Sequence, residues 1–150
     1  MVTFQQEKWA DCVDEMRPIW PEHWASLALN QDEISLGVDE AKYEQGEALG
    51  CLHVVTARAD GLLVGYHYGM LLNHLHYKDA GLMCYTDVYY LKPEYRKGPI
   101  GIKFLAAVMA SLKAAGVVKF YMSTKIHSDN SRVLESLGMK PSDIILTKML

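Results

Sequence analysis

The chain has 150 residues, of which 50% are hydrophobic, and its 15 basic and 18 acidic residues give a formal net charge of −3. This length predicts one domain over residues 1–150 with a hydrophobic core, and the mildly acidic balance argues against a nucleic-acid partner, which basic patches would indicate. Three scattered cysteines without a CxxC pair, and no signal peptide or long apolar run, lead us to expect a cytoplasmic protein without a membrane partner.

The first half of the chain predicts three helices and a hairpin. An apolar period with Trp9, Val13 and Met16 on one face indicates the first helix, which Pro18 ends. Pro21 suits the first turn of a second helix, and Asp39 can cap a third. Asp60-Gly61 is a strong hairpin turn. The elements are helices Gln5–Arg17, Glu22–Leu29 and Glu40–Glu47, the loop Asn30–Gly37, and strands Cys51–Ala59 and Leu62–Leu72, the last with His76 as an alternative end.

The second half predicts alternating strands and helices after a turn-rich connector at Tyr77–Gly81. The clearest helical period lies in Ile100–Ala115, and Gly116 is a suitable stop. Strands joined across this helix should be parallel, whereas the strands of the Asp60 hairpin must be antiparallel. The predicted elements are strands Leu82–Leu91, Val117–Ser123 and Ile144–Met149, and helices Ile100–Ala115 and Asn130–Leu137. They predict an α/β fold with a mixed sheet and helices on both faces.

The segment from Tyr85 to Leu112 reads as a strand, a basic glycine-bearing loop and an amphipathic helix. Backbone N–H groups of such a loop and the helix N-terminus form a phosphate site, to which Arg96 and Lys97 add positive charge. The loop lacks the spacing of a Walker loop and of a dinucleotide-binding fingerprint. A solvated surface loop is the alternative.

This loop resembles the pyrophosphate-binding [RQ]-x-x-G-x-[GA] loop of the GNAT acyltransferase superfamily. Arg96, Ile100 and Gly101 fit the frame, but Pro99 occupies the position of the middle glycine and Gly98 lies one position early. The lead-in Leu91-Lys92-Pro93-Glu94-Tyr95-Arg96 is similar to the family's V-x-P-x-Y-R, and the order of elements is similar over nearly the whole chain. The short chain and degenerate loop also resemble the small acetyltransferase-like proteins of phage genomes.

The resemblance implies a GNAT fold with a central mixed, twisted, mostly antiparallel sheet, and acetyl-CoA as acyl donor substrate. In the family, the fourth strand and the loop hold this donor largely through backbone N–H groups. An asparagine position, which falls on His127 here with Asn130 close by, often contacts it too. The residues implied to bind acetyl-CoA are Tyr89, Tyr90, Leu91, Arg96, Lys97, Gly98, Ile100, Gly101, Ile102, His127 and Asn130.

Asp87 is the candidate catalytic residue, because it is an acid within a strand otherwise suited to a core. It lies nine positions before Arg96, where spermidine/spermine acetyltransferases of this family carry their catalytic glutamate. Burial would have to raise its pKa, or a water relay would have to intervene, for it to take a proton from an alkyl amine. A structural carboxylate bonded to a neighbouring strand or loop is the alternative.

The family's usual general acid is a tyrosine whose position falls on Leu134, which cannot donate a proton. Tyr85, Tyr89 and Tyr121 are the candidate substitutes, although such a tyrosine is more often a core residue whose hydroxyl bonds to a partner.

The acceptor amine is expected to lie among aromatic residues and histidines that border the pocket in this fold. The substrate-binding candidates are Trp20, His23, His74, His76 and Tyr85. For Trp24, a core role is slightly favoured over a role in the acceptor pocket. His74 and His76 could instead begin a metal site, but no third ligand has suitable spacing, so we expect none.

The sequence thus predicts an N-acetyltransferase that moves the acetyl group of acetyl-CoA to a primary amine by direct attack. The acceptor could be a small molecule or a protein lysine, and a homodimer is possible. A catalytically inactive protein of this fold that binds CoA or a protein partner is the alternative, favoured by Pro99 and Leu134.

Overall fold

The computed structural model describes residues 1–150 as a five-stranded sheet with helices on both faces. The strand order is β1-β2-β3-β4-β5, with the first four strands antiparallel and β5 parallel to β4. This confirms the predicted α/β class and mixed, mostly antiparallel sheet. The strands are β1 Val2–Glu7, β2 Leu52–Ala59, β3 Leu62–Asn73, β4 Leu82–Leu91 and β5 Val117–Tyr121; the helices are α1 Trp9–Met16, α2 Trp20–Leu27, α3 Glu40–Ala48, α4 Ile100–Ala114 and α5 Ser131–Ser136.

Each face of the sheet has its own core, because successive strand side chains point to opposite faces. On one face, Trp9 and Met16 of α1 pack on Tyr66 and Tyr68 of β3. On the other, α4 packs on β2 and β3 through an apolar stripe with helical spacing, formed by Phe104, Val108 and Leu112. The two cores fix the sheet between α1 and α4.

Two local signals form as the sequence predicts. Asp60 and Gly61 both adopt positive φ angles, 49° and 87°, which a type I′ hairpin turn requires, and they connect β2 to β3. The Asp39 side chain accepts a hydrogen bond from the Lys42 N–H at 3.2 Å and so caps α3.

The prediction of a helix over Gln5–Arg17 is wrong at its start, because Val2–Glu7 forms β1 and the helix begins at Trp9. Residues 5–7 are polar and suit a helix locally, but antiparallel pairing with β2 overrides that preference. An ion-pair network reinforces this pairing, since Arg58 of β2 contacts Glu7 at 2.8 Å and Glu15 of α1 at 2.7 Å.

The predicted strand at Ile144–Met149 is also wrong, because this segment has no regular structure and no partner strand. Residues with a high strand propensity do not form a strand unless another strand supplies the ladder of hydrogen bonds. Every helix of the chain is too short or too polar to span a membrane.

Candidate active site

The strands β4 and β5 separate and leave an unpaired strand edge. They pair only from Leu82 with Val117 to Tyr85 with Tyr121, where β5 ends, while β4 continues to Leu91. From Thr86 onward, β4 has a strand neighbour on the β3 side alone. The free side of β4 therefore offers backbone groups to a ligand, as an edge strand does.

A β-bulge lies where this separation begins. Tyr68 of β3 pairs with Val88, but the next residue, Gly69, pairs with Thr86, so Asp87 is the extra residue. A bulge redirects side chains and increases the local twist of the strand. It places Asp87 in the wall of a cavity of ≈ 570 Å³ that reaches from the β4–β5 gap to α2.

This cavity contains most of the predicted site, and its volume suits a small-molecule ligand. Residues from β4, the loop before α4, the segment after β5, and α2 contribute to its wall. The predicted site residues in the wall are Trp20, His23, Asp87, Tyr89, Tyr90, Leu91, Arg96, Gly98, Gly101, Ile102 and Asn130.

The loop before α4 presents free backbone donors at the cavity. Gly98 adopts a φ of +72°, which favours glycine, and the helix begins at Ile100. The first helical N–H with a backbone partner is that of Lys103, which donates to Pro99 at 2.9 Å, so the N–H groups of residues 100–102 have no backbone acceptor. This is the arrangement that binds phosphate at a helix N-terminus.

Arg96 is held at the same end of the cavity. Its Nε donates a hydrogen bond to the Leu91 carbonyl at 2.7 Å, and its guanidinium lies 5.3 Å from the centre of the Tyr90 ring. Lys97 of this loop and Ile100, the first residue of α4, do not line the cavity. The loop therefore combines one fixed positive charge with free N–H donors.

Asp87 is exposed at the cavity edge rather than buried, contrary to the burial that its apolar neighbours predict. Its carboxylate accepts a hydrogen bond from the Tyr43 hydroxyl of α3, and the Tyr43 ring stacks on Trp9 at 4.5 Å. Burial, together with the hydrogen bond to Asp87, raises the pKa of Tyr43, which keeps this hydroxyl protonated as a donor. Tyr43 thus orients a solvent-accessible carboxylate.

Solved structures share this architecture over almost their whole length. The ribosomal-protein-alanine N-acetyltransferase of Brucella melitensis biovar Abortus 2308 matches with a TM-score of 0.75 at 15% identity, covering 100% of this chain and 97% of its own. Glucosamine-6-phosphate N-acetyltransferase of Arabidopsis thaliana matches with a TM-score of 0.71 at 17% identity, covering 98% of both chains. A predicted acetyltransferase with acetyl-CoA from Clostridium acetobutylicum matches with a TM-score of 0.71 at 14% identity, covering 99% of this chain and 96% of its own.

The chain has the GNAT fold. No protein-family model matches the sequence. No curated protein matches it significantly either. The fold, rather than sequence similarity, therefore connects this chain to the acetyltransferases.

Among the tyrosines considered for the general-acid position of the GNAT fold, Tyr89 is the one that lines the cavity. Leu134 is buried and lies outside the cavity wall, and Tyr85 and Tyr121 stack on each other with ring centres 4.4 Å apart, also outside it. Burial raises the pKa of Tyr89 to about 12, so its hydroxyl carries a proton at neutral pH.

Asn130 and His127 differ in their position relative to the cavity. The Oδ1 atom of Asn130 is buried at the cavity wall without a hydrogen-bond partner, and the side chain makes no cap hydrogen bond to α5. Such an orphaned acceptor is costly unless a ligand donor meets it. His127 is exposed in the turn before α5 and does not line the cavity.

The α2 side of the cavity is aromatic and is fixed by hydrogen bonds. The indole N–H of Trp20 donates to the Tyr68 hydroxyl at 3.4 Å, and His23 Nδ1 lies 3.0 Å from the Tyr66 hydroxyl. His23 also stacks on Tyr90 at 4.7 Å. Burial and the charge of Arg96 lower the pKa of His23 to about 4, so its ring is neutral at pH 7.

The structure does not bring His74, His76 and Tyr85 to this cavity. His74 and His76 lie in the connector that follows β3, where the centres of the His74 and Tyr77 rings are 4.7 Å apart. The prediction that these histidines and Tyr85 border the acceptor is therefore corrected, because β3 continues past the bulge away from the site. No cluster of three or more potential metal-ligating side chains is present.

The sequence does not indicate Tyr43 as a site residue, and it favours a core role for Trp24. Both Trp20 and Trp24 line the cavity. Trp20 also packs against the core around Trp9, whereas Trp24 does not. The four-residue spacing on α2 could have indicated that both rings share one side of the helix. The contact between Tyr43 and Asp87 spans 44 positions, and nothing in the local sequence predicts it.

Proposed function

We propose that the protein is an N-acetyltransferase that transfers the acetyl group of acetyl-CoA to a primary amine. The observation that carries this proposal is the unpaired edge of β4, which runs from the bulge at Asp87 to the free N-terminus of α4 inside one cavity. An acyl carrier with a phosphate group needs both features, and an amine acceptor needs a nearby proton acceptor.

The donor fits the cavity from the α4 end towards Asp87. The N–H groups of residues 100–102 and the guanidinium of Arg96 would hold the pyrophosphate. The free edge of β4 would pair with the amide groups of the pantetheine arm, and the orphaned Asn130 Oδ1 would accept one of its N–H donors. Similarity in fold to an acetyltransferase with acetyl-CoA supports this placement.

The chemistry needs no covalent enzyme intermediate. The amine nitrogen forms a bond to the thioester carbonyl carbon, the carbon–sulfur bond breaks, and the amine proton passes to Asp87 and on to water. Free N–H groups of β4 would stabilise the oxyanion, and the Tyr89 hydroxyl would supply a proton to the departing thiolate. Since Asp87 is exposed, water can carry the proton away from its carboxylate.

A CoA-binding protein without turnover is the second candidate. Pro99 has no N–H to offer at the phosphate loop, and Leu134 leaves the usual general-acid position without a proton donor. Thioester turnover separates the two candidates, because a binding protein binds the ligand without releasing thiol.

The test is calorimetric titration of the full chain with acetyl-CoA, followed by measurement of thiol release with a panel of primary amines. We expect binding and amine-dependent release. Arg96→Ala should weaken acetyl-CoA binding about tenfold, whereas Lys113→Ala, which removes the same charge at the far end of α4, should not. Binding without release under every amine would favour the second candidate, and no binding would refute both.

A further inference from the structure

One part of the cavity, here the acceptor lobe, is formed by Trp20, His23, Trp24, Leu27, Leu36 and Tyr43, with Asp87 at its inner edge. Its surface is predominantly aromatic and aliphatic. The cavity wall contains one other acid, Asp129, which belongs to the segment after β5 and accepts a hydrogen bond from the Ser131 N–H at 2.9 Å. Asp87 is therefore the single carboxylate of the acceptor lobe.

Three acids on the surrounding helices are engaged elsewhere. Glu22 accepts a hydrogen bond from the Tyr90 hydroxyl at 2.7 Å, Glu40 pairs with Arg17 at 2.6 Å, and Glu47 accepts from the Trp9 N–H at the start of α1. None of the three lines the cavity. Within the acceptor lobe, a second cationic group would thus find no carboxylate besides Asp87.

The faces of Trp20, Trp24 and Tyr43 in the acceptor lobe offer apolar contact to a ring or an alkyl body and can attract one ammonium group.

We propose that the acceptor is a monocationic primary amine with an aromatic or apolar body, whose amine group meets Asp87 while its body packs between Trp24 and Leu36. This inference rests on the proposed function, since it names the acceptor class of that site. It excludes polycationic acceptors such as polyamines and aminoglycosides.

The test compares kcat/KM for 2-phenylethylamine, methylamine and spermidine at saturating acetyl-CoA. We expect the value for 2-phenylethylamine to exceed each of the others by about tenfold or more. A higher value for spermidine or for methylamine would overturn the inference.

Variants of the acceptor lobe separate substrate contact from structural damage. Trp24→Ala should raise KM for 2-phenylethylamine about tenfold while leaving KM for acetyl-CoA and the methylamine rate nearly unchanged, and Trp24→Phe should restore most of the loss. Leu36→Glu adds a second carboxylate at a partly exposed position and should raise kcat/KM for spermidine. Leu29→Ala, on exposed chain outside the lobe, is the matched control. Equal effects of Trp24→Ala on all amines would overturn the inference.

A binding experiment keeps the inference testable if no amine is acetylated. Tryptophan fluorescence of the full chain with CoA would be titrated with 2-phenylethylamine and with spermidine. Tighter binding of 2-phenylethylamine, weakened about tenfold in Trp24→Ala, would support the acceptor class even though the proposed transfer had failed. Tighter binding of spermidine, or no binding of either amine, would overturn the acceptor class.

Discussion

Asp87 is the extra residue of the β4 bulge, and the Tyr43 hydroxyl holds its carboxylate at the cavity edge. Asp87→Asn keeps the size of the side chain and an acceptor for Tyr43 but removes the proton acceptor. We expect kcat for amine acetylation to fall about 100-fold, with acetyl-CoA affinity nearly unchanged. Asp79→Asn, on exposed chain at the β3–β4 connector, serves as control. Unchanged turnover in Asp87→Asn would remove this carboxylate from the reaction.

The hydroxyl of Tyr89 is the proposed proton donor to the departing thiolate, in place of the donor that Leu134 cannot provide. Burial raises its pKa to about 12, so the hydroxyl stays protonated across the usual assay range. Tyr89→Phe should lower kcat about 100-fold with little change in KM for acetyl-CoA, and Tyr77→Phe on the exposed connector should have no effect. A full rate in Tyr89→Phe would mean that the thiolate leaves unassisted or takes its proton from water.

Single residues also show what the sequence can and cannot predict about the site. Asp87 and Arg96 could be found because each stands out against its neighbours and their spacing matches a family pattern. Tyr43 could not, because its role depends on a contact between distant segments. The sequence wrongly predicts His74 and His76 at the site, because a polar residue near a strand end does not indicate which end of the sheet holds the site.

At the scale of elements, the N-terminus of α4 is the feature on which the proposed binding of acetyl-CoA depends. Pro99 stands at its N-cap with a φ of −84°, an angle that alanine also adopts without strain. Pro99→Ala therefore adds one N–H to the phosphate loop and should tighten acetyl-CoA binding about tenfold in calorimetry. Its melting temperature should fall slightly, because the unfolded chain gains freedom. Unchanged affinity would show that the backbone of residue 99 faces away from the phosphates.

Elements were predictable where local preference and tertiary pairing agree. The bounds of β4 are those predicted, and α4 differs from its prediction by one residue at its end, because turn residues and glycines delimit both. β1 was missed because Gln5, Gln6 and Glu7 suit a helix until β2 pairs with them. The separation of β4 from β5, which creates the site, has no local signal, since both segments read as ordinary strands.

Across the whole molecule, buried histidines couple stability to pH. Burial lowers the pKa of His67 to about 3 and that of His23 to about 4, and it also lowers the pKa of His53. Below about pH 6.5 the unfolded chain binds protons that the folded chain does not, so the free energy of unfolding falls as pH decreases. Each histidine that stays neutral should contribute about 2 kcal/mol to this fall at pH 5.

Urea unfolding between pH 5 and pH 7 measures this dependence. His67→Gln removes one titrating group and should reduce the slope of unfolding free energy against pH, whatever its effect on stability at pH 7. Identical slopes in the wild type and in His67→Gln would contradict the depressed pKa of His67.

Whether the molecule forms a homodimer depends on its exposed surface. The side chains of Ile144 and Leu146 are each 89% exposed in a segment with strand propensity, while β5 is the last strand of the sheet and Val118 on it is 63% exposed. Unpaired strand edges and exposed apolar side chains favour association. The segment of each copy can pair with the β5 edge of the other copy. We therefore expect a homodimer in which the segment 143–149 of each copy covers β5 of its partner.

Light scattering after size exclusion should give twice the monomer mass, and the double substitution Ile144→Ser, Leu146→Ser should give the monomer. Leu75→Ser, at an equally exposed leucine on the β3–β4 connector, should leave the dimer intact, and a monomeric wild type at high protein concentration would contradict this arrangement.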